Sequence, residues 1–332
     1  MKKILNQPAD YVDETLEGLV LAHPRAFRRL GDDGRVIARA GGAVKGKVGL
    51  VTGGGSGHLP VFLGYVGEGL LDACAVGNVF AGPRASDCQE AARAADGGAG
   101  VLQLYGNYGG DRMNFDMAQE LLELEGLEVR SVRVSDDVAS APVAERAKRR
   151  GVAGLVFAYK IAGARAAAGG TLAEVAAAAQ KAADACRSIG VALTPCVIPE
   201  SGKASFEIAD DEVEFGMGIH GEPGIWRGKL KSADALTREM LDRVLEELPL
   251  ARGDRVAVLV NSLGATPVEE LYIMYRTVAA TLAAKGATPV MPLVGRYATS
   301  MEMAGASLTL MPLDAELERL LAAPADCPFW RV

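Results

Sequence analysis

The chain has 332 residues, 49% hydrophobic and 23% charged, with a formal net charge of −7. That length suits two domains of roughly 150 residues each, and the composition is that of a folded globular protein with no run approaching the ~20 apolar residues that cross a bilayer. An acidic balance with no Lys/Arg block interleaved with aromatics excludes a nucleic-acid or anionic-membrane surface.

The opening MKKILNQPADYVDETLEG reaches Gln7, Pro8, Asp10 and Asp13 before an export-signal core could develop. Five scattered cysteines (Cys74, Cys88, Cys186, Cys196, Cys327) form no C-x-x-C pair, so they read as free thiols, not as disulfides or a zinc site. Both features point to the cytoplasm.

An amphipathic helix is predicted near Tyr11–Ala22. Strand-like VGLVT (48–52), ACAVG (73–77), GVLQLYG (100–106) and LEVRSVRV (127–134) then alternate with helical Ala85–Ala95 and Met113–Glu125. That rhythm implies an α/β sheet, largely parallel and covered by helices. Thr171 with Glu174 three residues later forms a capping box that opens a long alanine-rich helix, predicted to run to Ile189 and end at Gly190.

Beyond it come short β-type runs in VALTPCVIP, ASFEIA and VEFGMGI and a helix over Ala233–Leu248. Strand RVAVLVNS, a helix near Pro267–Lys285 and strands TPVMP and ASLTLM follow. The boundary falls near 186–195, giving an N-terminal α/β domain (1–188) and a C-terminal mixed α/β domain with an antiparallel part (189–332).

Familiar motifs fail. GGAVKGK at 41–47 has the spacing G-x-x-x-x-G-K, but Val48 stands where Ser/Thr should meet magnesium, and the strand follows the loop instead of preceding it. GGGSGH places His58 where a dinucleotide loop needs its last glycine, and Ser56 lacks the closing glycine of G-x-S-x-G. No phosphate-donor site is readable.

What survives is two histidines set in glycine, GGGSGH with His58 and GMGIHGEPG with His220, while His23 reads as structural. Glycine permits positive φ and close backbone approach at a cost of ~0.5–1 kcal/mol relative to alanine. Bare backbone at 53–57 is therefore expected to make room for a small ligand. A third loop, YGNYGGD at 105–111, ends in Asp111 just before the predicted helix. Loops at the carboxyl ends of parallel strands share one crevice, where a carboxylate and an imidazole can divide base and donor work.

In order along the chain, VTGGGSGHLP (51–60), VGNVFAGPRAS (76–86), GNYGGDRMNFDMA (106–118), GMGIHGEPG (216–224), NSLGATPVEELYIMYR (261–276) and VGRYATSMEMAGASLTLMPLD (294–314) resemble the substrate-binding K subunits of dihydroxyacetone kinases. The resemblance implies two α/β domains of the DAK1/DegV-like class, a homodimer, and a role in glycerol metabolism. It implies that His220 adds to the keto carbon of a short ketose as a hemiaminal, that His58 assists proton transfer, and that Asp111 activates the terminal hydroxyl. Gly55, Ser56, Gly57, His58, Phe80, Gly106 and Asp111 would lie against the substrate.

No metal is assigned to this chain. The resemblance further implies a helical nucleotide-binding L subunit that carries, with Mg, either exchangeable ATP or a tightly held ADP recharged by a phosphotransferase-system protein. Against the family's K-N-Y-T-G-D loop, Gly106 and Gly109 replace lysine and threonine; Leu59 replaces a glutamate, and Gly82 a serine. The shortened side chains suggest room for a larger ketose such as erythrulose. A non-catalytic ketose sensor or coactivator is a second reading, and an unrelated fatty-acid-binding protein of the DegV type a third, disfavoured by the His220 loop.

Overall fold

The computed structural model describes residues 2–332. Helix α1 (Tyr11–Ala22) is followed by β1 (Phe27–Leu30), β2 (Val36–Arg39), β3 (Gly49–Gly55), β4 (Ala73–Gly77), α2 (Ala85–Ala95), β5 (Val101–Gly106), α3 (Gly109–Leu124) and β6 (Val129–Val134). These strands form one sheet in the order β1-β2-β4-β3-β5-β6. Strands β4, β3, β5 and β6 run parallel, with an antiparallel β1–β2 hairpin at one edge. The hairpin escaped the sequence pattern because Arg28, Arg29 and Arg39 interrupt its apolar alternation.

Two helices come next, α4 (Gly154–Ala167) and α5 (Leu172–Ala185). Every residue of α4 except Arg165 and Ala167 is buried. A helix buried nearly all round has no apolar stripe for periodicity to detect, and α4 is absent from the sequence-based elements. It belongs to the largest core cluster, which runs from Leu50 and Leu102 through Phe157 to Leu259 and Met311 and so joins the two sheets.

The second sheet is built from β7 (Arg187–Thr194), β8 (Glu212–Phe215), β9 (Trp226–Lys229), β10 (Arg255–Ser262), β11 (Thr288–Gly295) and β12 (Ala304–Leu313), with α6 (Ala233–Leu245) and α7 (Val268–Lys285) between them. Its order is β11-β10-β12-β7-β8-β9, and only β10 and β11 are parallel.

The α5 capping box forms as predicted: the Glu174 NH donates to Thr171 Oγ1, and the Thr171 NH donates to Glu174 Oε2. The helix stops at Ala185, not at Ile189, because residues 187–194 pair along β12 as a central strand. Pairing with a distant strand outweighs local helical preference here. The expected strands at CVIP and ASFEIA are absent; 195–211 is irregular apart from a bridge between Val197 and Ala204. Pro195 and Pro199 have no NH to give a ladder.

After α8 (Ala315–Leu321), the hairpin of β13 (Asp326–Cys327) and β14 (Trp330–Arg331) folds back on the first sheet's unit. Glu68 and Asp326 exchange two backbone hydrogen bonds of 2.9 Å, and Trp330 meets Tyr65 edge-on. All five cysteines are buried and free. Among the described residues, no helix is long and apolar enough to cross a membrane.

Candidate active site

Gly53, Gly54 and Gly55 belong to β3 itself, not to a loop beyond it. A Cβ on Gly53 would stand 2.9 Å from the Phe115 ring, on Gly54 2.3 Å from the Phe62 ring, on Gly55 2.4 Å from the Val79 carbonyl oxygen and on Gly57 2.7 Å from Val79 Cγ1. The space freed by these glycines is filled by the protein. What requires glycine at these positions is the close packing of Phe115, Phe62 and the 78–83 segment.

Phe62 cannot retreat easily, since it already holds φ at +69°. Gly54→Ala is therefore expected to destabilise the fold by about 1–3 kcal/mol, the range for overpacking. Urea unfolding of the variant measures this.

Ser56, Gly57 and His58 form a single 3₁₀ turn leaving β3, all buried. The turn is fixed by the segment before β12. The Met301 NH donates to the Gly57 carbonyl at 2.8 Å, Thr299 Oγ1 donates to the Leu59 carbonyl at 3.0 Å, and His58 Nδ1–H donates to the Thr299 carbonyl at 2.6 Å. A carbonyl only accepts, so the His58 proton sits on Nδ1 and Nε2 keeps its lone pair. Nε2 is buried without a protein partner. Burial first, then the charge of His220, drives His58 down to about 3. It is a neutral acceptor at physiological pH.

The loop between β8 and β9 delivers His220 to this place. Its ring meets His58 edge-on at 4.7 Å between centroids and Tyr108 at 4.6 Å, while Phe80 stacks on His58 at 5.0 Å. His220 Nδ1 lies 2.9 Å from Glu222 Oε1. Burial tends to raise the Glu222 carboxyl, but the His220 hydrogen bond and the charges of His220 and Arg150 outweigh it and bring it down to about 2.

Asp111 lies inside α3, which starts at Gly109 and not near Met113. The residue is thus a first-turn carboxylate, where the helix dipole favours negative charge, and not a cap preceding the helix. Burial nonetheless raises it to about 6, against the pull of His220 and a backbone NH. Gly82 packs on it: a Cβ there would be 2.9 Å from Asp111 Oδ1. At Gly106 a Cβ would lie 3.1 Å from the Tyr108 ring and 3.2 Å from the Gly151 carbonyl oxygen. Gly82 and Gly106 therefore open no larger chamber, because Asp111 and Tyr108 occupy the room, whereas a Cβ on Gly109 would meet nothing within 4 Å. Leu59 turns its side chain toward Gly64.

The segments after β3, β4 and β5 and the β8–β9 loop thus meet through His58, Phe80, Tyr108, Asp111 and His220. Seven buried side-chain polar atoms lack a protein partner among the described residues, and four of them gather here: Ser56 Oγ, His58 Nε2, Tyr108 Oη and Asp111 Oδ1. Buried polar groups are ordinarily paired, so this concentration marks a candidate ligand site. Three participants were missed in the sequence. Tyr108 and Glu222 sit inside motifs already singled out, three residues before Asp111 and two after His220. The Thr299 carbonyl is a main-chain group brought in from 241 residues away, and no sequence signal announces it.

The two-sheet architecture and this cluster define a class that comparison with known proteins makes explicit. Residues 17–329 match the family model of the Dak1 domain, and the chain belongs to that family. It is 45% identical to the PTS-dependent dihydroxyacetone kinase 1, dihydroxyacetone-binding subunit DhaK, of Listeria innocua, over 99% of this chain and 100% of that protein. It is 44% identical to the D-erythrulose kinase of Mycolicibacterium smegmatis over its whole length, which spans 57% of that enzyme. The dihydroxyacetone kinase of C. freundii in its native form superposes with a TM-score of 0.91 at 34% identity, covering 99% of this chain and 60% of that one.

Proposed function

We propose that this chain is the ketose-binding subunit of a dihydroxyacetone-type kinase. It holds a short ketose through a bond from His220 Nε2 to the keto carbon and presents the terminal hydroxyl to a nucleotide-carrying partner subunit. The observation that carries this reading is the meeting of two imidazoles, each with Nδ1 engaged and Nε2 free, beside a buried carboxylate raised to about 6.

A covalent link to a carbonyl selects against glycerol, which has none, where hydrogen bonds alone would separate such similar polyols weakly. Asp111 accepts the hydroxyl proton as the oxygen attacks phosphorus, and its basicity suits that task near neutral pH. His58, held neutral, orients a substrate hydroxyl through Nε2. Ser56 Oγ and Tyr108 Oη are further unpaired groups able to bind hydroxyls, and Gly55, Gly57, Phe80 and Gly106 form the walls. ATP or ADP with Mg belongs to the partner, and no residue of this chain is assigned to them. The division into domains at 188/189 places Asp111 and His58 on one unit and His220 on the other, so the site lies where they meet. Homodimerisation is supported by exposed Leu230 and Ile273, which with Val191, Leu193, Leu236 and Met274 line a mostly apolar cavity of about 190 Å³.

Native mass spectrometry with dihydroxyacetone, erythrulose and glycerol tests the reading, followed by reconstitution with a helical L-type subunit and ATP or phosphotransferase proteins. One ketose-sized increment with dihydroxyacetone, none with glycerol, and turnover on reconstitution are expected. An adduct without turnover would identify a sensor, and tighter capture of erythrulose would move the substrate to four carbons. Absence of any ketose increment would overturn the covalent assignment.

A further inference from the structure

Glu222 grips His220 at two points: Oε1 accepts from the ring at Nδ1, 2.9 Å away, and Oε2 accepts from the His220 backbone NH at 3.0 Å. One carboxylate therefore fixes both the backbone and the ring orientation of the same residue.

The loop is built around that carboxylate. A Cβ on Gly218 would stand 2.2 Å from Glu222 Oε2 and 2.7 Å from Arg150 Nη1, so the glycine clears the space in which the two charges approach. Arg150, from the segment preceding α4, donates to Asp137 at 2.8 Å and to the Gly216 carbonyl at 3.0 Å, and its Nη1 lies 3.9 Å from Glu222 Oε2. The charged and titratable groups facing Glu222 are thus His220 on its own loop, Arg150 with Asp137 behind it, Tyr108 from the loop after β5, and His58 from the turn after β3.

We infer that Glu222 is a positioning residue for the covalent step, holding the proton on His220 Nδ1 so that the Nε2 lone pair faces the keto carbon, and stabilising the positive ring that results. This rests on the covalent reading above. In the step, Nε2 donates its lone pair to the keto carbon and forms the C–N bond. The carbonyl π pair moves to oxygen, which takes one proton from solvent. The ring keeps its Nδ1 proton and becomes an imidazolium against the Glu222 carboxylate. Capture of one ketose therefore consumes one proton. The arrangement is a carboxylate orienting an imidazole, as in hydrolytic triads, with the imidazole itself as nucleophile.

Two measurements separate this role from the covalent reading. Without ketose, ¹⁵N NMR of the wild-type protein should show His220 protonated at Nδ1 alone, whereas Glu222→Ala should show mixed tautomers. With dihydroxyacetone, calorimetry in buffers of different ionisation enthalpy should show one proton taken up per ketose.

Glu222→Gln can still accept a hydrogen bond but carries no charge. It should bind ketose about ten- to hundredfold more weakly, the range of a hydrogen bond to a charged group, with proton uptake falling toward zero as the adduct ring becomes neutral. Gly218→Ala, which displaces the carboxylate without removing it, should weaken binding in the same direction. Glu222→Gln binding ketose with wild-type affinity and wild-type proton uptake would overturn the inference, as would a wild-type His220 protonated at Nε2. If wild type shows the Nδ1 tautomer yet forms no adduct, the covalent reading has failed and the role in catalysis fails with it, leaving Glu222 a purely structural clamp.

Discussion

Asp111→Asn should leave the ketose adduct intact and lower phosphoryl transfer by ~10²–10⁴-fold, the usual cost of losing one positioned proton-transfer group. The amide has nearly the shape of the carboxylate but cannot accept the hydroxyl proton, and the covalent bond to His220 does not involve it. Native mass spectrometry and single-turnover phosphorylation on the same preparation read the two effects apart. An Asp111→Asn protein that phosphorylates at the wild-type rate would refute the base assignment.

The wild-type rate should carry the matching signature. Burial raises Asp111 from 3.8 to about 6, so the base is ionised above that pH and protonated below it. Turnover should be level above about pH 7 and fall as pH drops through 6. Stability should move the opposite way. With its folded pKa above its unfolded one, the group binds protons more tightly in the native state between those values, so its ionisation costs stability as pH rises from about 4 to 6. Asp111→Asn should therefore raise Tm at pH 7 more than at pH 4, a gain in stability at the expense of function.

His220→Ala is the second large effect. It should abolish the ketose increment and with it any preference for a ketone over glycerol, while the chain still folds. The ring is partly solvent-exposed and touches its neighbours edge-on, so its loss opens no sealed cavity of the kind that costs several kcal/mol in a core. Glu222 would lose its main partner, and its carboxyl should rise from about 2 toward the range of an ordinary buried acid. A ketose adduct persisting in His220→Ala would relocate the nucleophile, with His58 Nε2 the neighbouring candidate.

Much of the fold is legible in single segments where burial is one-sided. The α1, α2, α7, β4 and β10 patterns agree with the structure to within a residue, because an amphipathic stripe or a short apolar run between breakers carries the signal locally. Failures fall where burial is not one-sided or where a distant strand decides. Helix α4 is buried on nearly every face, β7 is taken from the end of a predicted helix by its pairing with β12, and 195–211 has strand-like residues but no partner beyond one bridge.

The candidate site divides along the same line. By itself the sequence determined the chemistry available: two histidines embedded in glycine, a carboxylate at the end of a glycine loop, and six ordered blocks shared with a kinase subunit family. Only the tertiary structure decided what those groups can do. It put the Thr299 carbonyl on His58 Nδ1 and Glu222 on His220 Nδ1, brought the two rings edge to face, and buried Asp111 enough to raise its carboxyl to about 6. Tautomer and basicity are set by partners and by exclusion of water: Glu222 stands two residues from His220, but the Thr299 carbonyl comes to His58 from 241 residues away, and no local pattern specifies such a contact or the burial of Asp111.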